Sequence, residues 1–225
     1  MRQQHRTVES AGQGVLFGEE GLLPSMLPRQ ADLRPSRHLS AVFEDCHNYI
    51  YANEGLLKEK IFQEMVKLLL MKLVDEQKTP DQALQFAITA EEYREVLKGS
   101  AERFLARMNA LFALVKRTYP HLLSEDDKLA LRPLTVAYIV SRLQTISLTQ
   151  TPGDVKGEAF QSFVYRHQRG DREEFFTPYP IVRLAVKMIN PQPHEKVIDP
   201  ACGSGGFLIE TIAYVERQCS TWCGE

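Results

Sequence analysis

The residues best suited to chemistry form one glycine-rich segment, Asp199-Pro200-Ala201-Cys202-Gly203-Ser204-Gly205-Gly206-Phe207-Leu208. The run Lys196-Val197-Ile198 before it predicts a short buried strand, and the apolar spacing of residues 207–215 predicts a helix. The glycines therefore lie in a strand-to-helix turn, which is where α/β sheets bind nucleotides. Glycine suits such a turn because it adopts positive φ cheaply and lets a ligand approach the backbone.

The order of residues in this turn discriminates between classes of nucleotide loop. A phosphate-binding P-loop ends in Gly-Lys-Ser/Thr, but here Phe207 follows Gly206 and no cation is placed to meet a polyphosphate. A dinucleotide loop needs a third glycine where this chain has Leu208. The carboxylate of Asp199 would repel a pyrophosphate and suits a ligand with a positive ammonium. S-adenosylmethionine is such a ligand, and an ordinary glycine turn that caps a strand is the alternative.

A second segment upstream has a related pattern. Phe175-Phe176-Thr177-Pro178 precedes a helical apolar pattern over residues 181–189. The spacing predicts Thr177 as the N-cap and Pro178 as the first helical residue, positions that both residues favour. The free N–H groups of a helix start can hold a carboxylate, which S-adenosylmethionine also carries. Taken alone, the segment is more typical of an ordinary helix start than of a ligand site.

These two segments and residues 154–160 occur in the order of a known family. They resemble the S-adenosylmethionine-binding region of adenine-specific DNA methyltransferases, most closely the modification subunits of type I restriction–modification systems. The resemblance covers about the last third of the chain, with a looser similarity of the preceding helical region to the N-terminal helical domain of that family.

The resemblance implies a set of cofactor-binding residues. Asp199 would accept hydrogen bonds from the methionine ammonium. The methionine and ribose side would be lined by Gly203, Ser204, Gly205 and Gly206. The methionine end would be closed from the other flank by Glu174, Phe175, Phe176, Thr177, Pro178 and Tyr179. Phe176 or Phe207 could pack against the cofactor, or could equally fill the core.

The catalytic motif of the family is missing from the sequence. Adenine-specific enzymes use (Asn/Asp)-Pro-Pro-(Tyr/Phe) to bind the target amino group and stack on the extruded base. The nearest approximation is Asn190-Pro191-Gln192-Pro193, which lacks adjacent prolines and an aromatic residue and is more typical of a helix stop and a turn. No catalytic residue is therefore assigned. We expect a truncated, N-terminal portion of the enzyme that is inactive alone.

Composition points to a globular protein, with 44% apolar and 25% charged residues among 225. No run reaches membrane-spanning length and no signal peptide is evident, so we expect a cytoplasmic protein without a membrane partner. The 4 cysteines and 6 histidines have no metal-binding spacing, so no metal is expected. Cys202, inside the glycine-rich segment, is interpreted as a small residue that fills space beneath the turn. The net charge of −2 gives no overall DNA footprint. The resemblance implies DNA as substrate of the full enzyme, a separate specificity subunit and, as a further candidate, a restriction subunit.

The predicted fold is mainly α. Residues 1–36 are predicted to be a flexible tail, residues 37–150 a helical bundle domain, and residues 151–225 the incomplete first part of an α/β Rossmann-like methyltransferase domain. Helices are predicted over residues 41–53, 56–76 and, from a Thr89 capping box, 89–119. Pro133 is predicted to open another helix, and residues 147–153 to form a linker.

The leading functional hypothesis is thus the N-terminal part of a site-specific DNA adenine methyltransferase that binds S-adenosylmethionine. One alternative is a noncatalytic helical assembly module with a vestigial cofactor loop. Another is a methyltransferase for a different substrate, such as protein or ribosomal RNA.

Overall fold

A computed structural model describes residues 23–168, 177–203 and 205–222. Helices dominate this part: α1 Leu39–Glu54, α2 Lys58–Asp75, α3 Ala90–Leu97, α4 Glu102–Thr118, α5 Pro133–Leu143, α6 Gly153–Gln168, α7 Tyr179–Ile189 and α8 Gly206–Trp222. Strand β1 Arg34–Pro35 pairs in parallel with β2 Ile146–Ser147. No helix in the described ranges is long and apolar enough to cross a membrane. The prediction of a mainly helical chain is confirmed.

Helices α1 to α6 enclose one hydrophobic core. Phe43 on α1, Met65 on α2, Tyr93 on α3, Phe104 on α4 and Ile139 on α5 are all at most 1% exposed. On α1 and α4 such residues recur every three or four positions, which places them on one face. Helix α5 is buried on most of its sides. Burying a side chain of this size stabilises the fold by about 1.5–3 kcal/mol.

The local helix signals of the sequence are confirmed. Helices α1 and α2 cover most of the two segments predicted first. Before α3, the N–H of Glu92 donates to Oγ1 of Thr89 at 3.2 Å, and the N–H of Thr89 donates to the Glu92 carboxylate at 3.1 Å. This is the predicted capping box. Pro133 opens α5 as its first residue, because a missing N–H costs nothing there.

The single helix predicted over residues 89–119 is wrong, because the structure has two helices there. Helix α3 ends at Leu97 and α4 begins at Glu102. Between them Gly99 has a φ of +88°, and the N–H of Ser100 donates back to the carbonyl of Glu95 at 2.9 Å. A left-handed glycine closes a helix in this way, so the chain turns and α4 packs separately on the core.

The segment predicted as a linker and the described end of the predicted tail are packed against each other. Ser147 and Leu148 are at most 2% exposed. Ser147 pairs with Pro35 in the two-stranded sheet, and Leu33 is 1% exposed. Residues 29–36 and 147–151 therefore belong to the packed helical part rather than to flexible chain; residues 1–22 lie outside the described ranges.

Glu76, just after α2, holds this junction through its buried carboxylate. The carboxylate accepts hydrogen bonds from the N–H groups of Leu148 and Thr149, both at 2.9 Å, and from Oγ1 of Thr149 at 2.8 Å. It also pairs with Nζ of Lys72 at 3.0 Å. Burial by itself raises the pKa of Glu76, but Lys72 and the two N–H groups outweigh burial, so the pKa lies below its ordinary value.

Helix α6 is the first helix of the predicted methyltransferase part, yet it packs on the bundle. Its Phe160 and Phe163 lie edge-on to Phe43 of α1, with ring centroids 5.4 and 6.0 Å apart. Such edge-to-face pairs are favourable beyond their buried area. The domain boundary at residue 150 stays a prediction. Helix α6 connects the helical core to the part of the chain that follows α6.

The Glu76→Gln substitution is expected to destabilise the chain. It keeps the side-chain shape but removes the charge opposite buried Lys72, and breaking a buried pair on one side costs about 3–5 kcal/mol. Urea unfolding at pH 7 measures the difference. The matched control is Glu125→Gln, at an exposed glutamate, which should leave the midpoint unchanged.

The contribution of Glu76 to the free energy of unfolding should depend on pH. Because the folded-state pKa of Glu76 is lowered, its contribution is present above the ordinary value of 4.5 and is lost as the pH falls through the folded-state pKa. The free-energy gap between the wild-type chain and Glu76→Gln should therefore shrink below about pH 4.5. A gap that is constant from pH 7 to pH 3 would contradict this account.

Candidate cofactor-binding site

The glycine-rich segment forms a tight turn into α8. Gly203 and Gly205 have φ values of +52° and +78°, a left-handed region that L-residues with side chains occupy at a cost. The N–H of Gly205 donates to the carbonyl of Cys202 at 2.7 Å, and the N–H of Ile209 donates to the carbonyl of Gly205 at 2.9 Å. The turn conformation predicted from the glycines is confirmed at both positions. Ser204 lies outside the described residues.

The backbone of this turn is open on the side where side chains would project. A Cβ atom added at Gly203 would meet no atom of the described chain within 4 Å, and one at Gly205 would meet only Cδ1 of Ile209 at 3.9 Å. Packing inside the chain therefore does not demand glycine at residue 203. The open space leaves the peptide groups of the turn accessible to a ligand.

Asp199 stands at the entrance of the turn with its carboxylate half-buried. One carboxylate oxygen, Oδ1, accepts a hydrogen bond from the N–H of Ala201 at 3.1 Å. No cationic side chain of the described residues forms an ion pair with Asp199. The backbone bond fixes the direction of the carboxylate, and its other oxygen has no hydrogen-bond partner among the described residues.

A pocket of about 280 Å³ lies beside Asp199, between α7, residues 197–200 and the first two turns of α8. Its lining is mostly apolar and includes Val186, Pro191, Ile198, Asp199, Phe207 and Thr211. Its volume is at the lower end of the range for small-molecule sites. Asp199 and Phe207 are thus brought to one pocket, whereas Gly203, Gly205 and Gly206 do not line it.

The strand predicted at residues 196–198 does not form, which corrects the sequence analysis. Val197 is 49% exposed and Ile198 is 86% exposed, and neither belongs to a strand. A strand exists only when a neighbour accepts and donates its backbone hydrogen bonds. The described residues place no such neighbour beside this segment.

The helix start after the second motif is displaced by one residue from the prediction. Pro178, not Thr177, is the N-cap, and its carbonyl accepts from the N–H groups of Ile181 and Val182 at 2.9 and 3.2 Å. Thr177 is exposed and makes no cap bond. Pro178 and Pro180 both suit a helix start, so the sequence alone does not fix the register. Glu174, Phe175 and Phe176 lie outside the described residues.

Tyr179 has a structural role that the sequence analysis did not anticipate. Its hydroxyl donates to the carboxylate of Glu210 on α8. Its ring lies against α6, because a Cβ atom added to Gly157 would be 3.4 Å from Cε2 of Tyr179. Tyr179 therefore links α6, α7 and α8 directly beneath the glycine turn.

Glu210 is 1% exposed and is held by charge as well as by Tyr179. Its carboxylate accepts from Arg217 at 2.6 Å and lies 4.0 Å from Nε of Arg183. The available signal was a lone acid in the apolar run Phe207-Leu208-Ile209-Glu210-Thr211-Ile212, since a buried charge needs a partner.

Two smaller expectations have opposite outcomes. Asn190 ends α7 in a left-handed conformation, with a φ of +52°, and residues 192–195 form a turn; the interpretation of this segment as a helix stop is confirmed. Cys202 was interpreted as a small residue that fills space beneath the turn, and this is wrong because Cys202 is exposed.

The sequence of this region is similar to that of a family of DNA-modifying proteins. Residues 152–222 match the family described as N-6 DNA methylase. The match begins one residue before α6 and ends at the last residue of α8, so it contains the turn, Asp199 and the Tyr179–Glu210 contact. The matched region therefore includes the glycine turn and the helices α7 and α8 on either side of it.

Individual proteins similar to this chain are named as methylase subunits of type I restriction enzymes. The EcoKI methylase subunit of Escherichia coli is 47% identical over 45 residues, which cover 20% of this chain and 8% of that protein. The MjaVII methylase subunit of Methanocaldococcus jannaschii is 31% identical over 96 residues, 42% of this chain and 16% of that protein. The MjaVIII methylase subunit of the same organism is 25% identical over 181 residues, 78% of this chain and 28% of that protein.

The resemblance to the modification subunits of type I systems is thereby confirmed. The chain spans less than a third of the length of each of these relatives. No solved structure matches it.

Tyr179→Phe is expected to destabilise the chain, since it leaves the buried Glu210 carboxylate with one hydrogen bond fewer. The loss of a partner to a buried charged group costs about 1–3 kcal/mol. Equilibrium unfolding in urea, monitored by circular dichroism, measures it. Tyr51→Phe, which alters an exposed tyrosine on α1, is the control. Equal losses for the two variants would show that the Glu210 contact contributes nothing.

Proposed function

We propose that this chain provides the S-adenosylmethionine-binding part of a DNA adenine methyltransferase, the modification subunit of a type I restriction–modification system. The observation that carries the proposal is the carboxylate of Asp199, which is held by a backbone N–H and has no ion pair among the described residues, beside an open-backbone glycine turn in a segment that matches the N-6 DNA methylases. In this proposal residues 151–225 are the first part of a Rossmann-like methyltransferase domain.

The residues present suit the cofactor. Asp199 would bind the ammonium of the methionine moiety through its free carboxylate oxygen, and the open peptide groups at Gly203 and Gly205 would lie against the ligand. Phe207, which lines the pocket, supplies an apolar contact. Ser204 and Gly206 remain proposed contacts on this side of the ligand, and Glu174, Phe175, Phe176, Thr177 and Pro178 remain proposed contacts on the other flank. For Tyr179 the hydroxyl is engaged with Glu210, so its proposed role is to position α7.

When bound, S-adenosylmethionine supplies the methyl group that the amino nitrogen of adenine receives. The residues of this chain bind and orient the methyl donor; they include no Asn/Asp-Pro-Pro-Tyr/Phe motif to accept the target amine. We therefore propose that residues 1–225 alone do not methylate DNA. Positioning is a large part of catalysis in transfers of this kind, so the loop and the missing motif must act together.

DNA and a specificity subunit are the proposed partners of the complete enzyme, with a restriction subunit as a further one. The relatives are named as subunits of type I restriction enzymes, and the net charge of −2 offers no general attraction to phosphates. Sequence recognition by another subunit is consistent with that charge. A cytoplasmic location remains a prediction.

One observation favours the alternative of a noncatalytic helical module. The pocket beside Asp199 is small and mostly apolar, and the segment leading to it has no strand structure. In that case the helical part would serve assembly, and the turn would be a remnant that binds no ligand.

Calorimetric titration with S-adenosylmethionine separates these functions. The proposed function predicts binding that Asp199→Asn weakens by about ten- to a hundredfold, because a charge-assisted hydrogen bond contributes about 1.5–3 kcal/mol. Asp126→Asn, at an exposed aspartate remote from the turn, is the matched control and should bind like the wild type. Equal affinities for both variants would remove Asp199 from the site. An absence of heat with S-adenosylmethionine would favour the noncatalytic module.

A further inference from the structure

Four side chains between α7 and α8 form a polar cluster, which we call the clasp: Tyr179, Arg183, Glu210 and Arg217. Its centre is the carboxylate of Glu210, which is 1% exposed. Oε2 of Glu210 accepts from the hydroxyl of Tyr179 on α7, and Oε1 accepts from Arg217 on α8 at 2.6 Å. Nε of Arg183 on α7 lies 4.0 Å from the same Oε1. One carboxylate therefore binds side chains of both helices.

A buried carboxylate at residue 210 is explained better by the placement of the helices than by stability. Well-packed apolar residues in place of a buried ion pair are often neutral or stabilising, so the charge of Glu210 is weak evidence for stability alone. The best-attested use of such groups is to specify one register between packed helices. Because a hydrogen bond weakens steeply when its angle changes, the contact between Tyr179 and Glu210 favours one rotation and one height of α7 against α8.

The clasp joins the two segments that the proposed function assigns to opposite flanks of the methyl donor. Tyr179 directly follows Pro178 and lies two residues after Thr177. Glu210 lies about one helical turn after Gly206, the first residue of α8. The contact between Tyr179 and Glu210 therefore sets the distance between the segment that ends at Pro178 and the glycine turn.

The helical core supports the clasp. A Cβ atom added to Gly157 of α6 would be 3.4 Å from Cε2 of Tyr179, an ordinary van der Waals contact, so the ring rests on α6. Helix α6 packs on α1 through Phe160 and Phe163. The hydroxyl of Tyr179 thus reaches Glu210 from a ring that lies against a helix of the core.

A second contact of the same chemistry joins the two helices at the other end of α7. The hydroxyl of Tyr214 and the amide of Gln218, both on α8, donate to Oδ1 of Asn190 at 2.8 and 2.9 Å. Asn190 follows α7 and lies about 16 Å along the helix axis from Tyr179. Tyr214 is therefore a matched control for Tyr179, because each hydroxyl bridges α7 and α8 but only that of Tyr179 does so next to Thr177.

We propose that Tyr179 and Glu210 are positioning residues for S-adenosylmethionine. They hold Thr177 and the glycine turn at the separation that the methionine moiety of one ligand spans, and neither touches the ligand. Their role rests on the proposed function, from which the ligand and its two flanks are taken. Without the hydroxyl of Tyr179, the ligand itself must hold the two flanks together, and ordering them on binding lowers the affinity.

Calorimetric titration of the wild type, Tyr179→Phe and Tyr214→Phe with S-adenosylmethionine tests this role. Tyr179→Phe is expected to weaken binding about tenfold, close to the smallest effect of losing one hydrogen bond to a charged group. Tyr214→Phe should bind like the wild type. Because Tyr179→Phe is also expected to destabilise the chain, the titrations are carried out at a temperature at which circular dichroism shows every variant to be folded.

A second ligand separates positioning from a general loss of structure at the turn. 5′-Methylthioadenosine has the nucleoside part of S-adenosylmethionine without its amino-acid end, so its binding does not require two flanks at a set distance. Its affinity, measured by ligand-observed NMR, should agree between the wild type and Tyr179→Phe to within about twofold, as for independent sites. A substitution that loosened the turn itself would weaken both ligands by the same factor.

The outcomes separate this role from the proposed function. If the wild type gives no heat with S-adenosylmethionine, the proposed function fails, and the positioning role fails with it. If the wild type binds and Asp199→Asn binds more weakly, the proposed function stands, and equal affinities of Tyr179→Phe and the wild type would then overturn the positioning role alone. An equal loss for both ligands, or the same loss in Tyr214→Phe, would also overturn it and leave the clasp as a structural contact.

Discussion

Peptide groups removed from water must find hydrogen-bond partners. The helical part of the chain meets this requirement within itself, whereas the segment before the glycine turn does not. In the helical part the helices satisfy their own backbones, and the loops between them are satisfied by side chains. At residues 196–198 the chain leaves the helical pattern, and its N–H and C=O groups have no partner among the described residues. The helical core is closed, whereas the glycine turn lies near a segment whose backbone groups are unpaired within the described part of the chain.

Buried carboxylates connect the loops to the helices throughout. Glu64 accepts from the N–H of Ala130 at 2.8 Å while it pairs with Lys67, and Glu76 holds residues 147–149. Glu92 binds Arg107 through both oxygens at 2.6 and 2.8 Å. Burial by itself raises the pKa of Glu92, but Arg107 and the N–H of Thr89 hold it below its ordinary value. Each buried carboxylate is tolerated because it accepts hydrogen bonds from several donors that would otherwise bond to water.

Glu210 is a further buried carboxylate of this kind, and it lies in α8 just after the glycine turn. Its contact with Tyr179 fixes the start of α7 relative to α8, and the ring of Tyr179 rests on Gly157 of α6. Helix α8, which follows the turn, is thus anchored on α6 and α7, whereas Val197 and Ile198 before the turn are exposed.

The sequence by itself determined the features that depend on near neighbours along the chain. Apolar spacing located α1 and α2, Thr89 and Glu92 specified a capping box, and the glycines at 203 and 205 specified a left-handed turn, because each involves bonds between residues at most four positions apart. Only the tertiary structure decided that Gly99 divides a helix, that Glu76 binds residues 147–149, and that Tyr179 contacts Glu210. It likewise decided that residues 196–198 form no strand, because pairing and burial depend on partners that are distant along the chain.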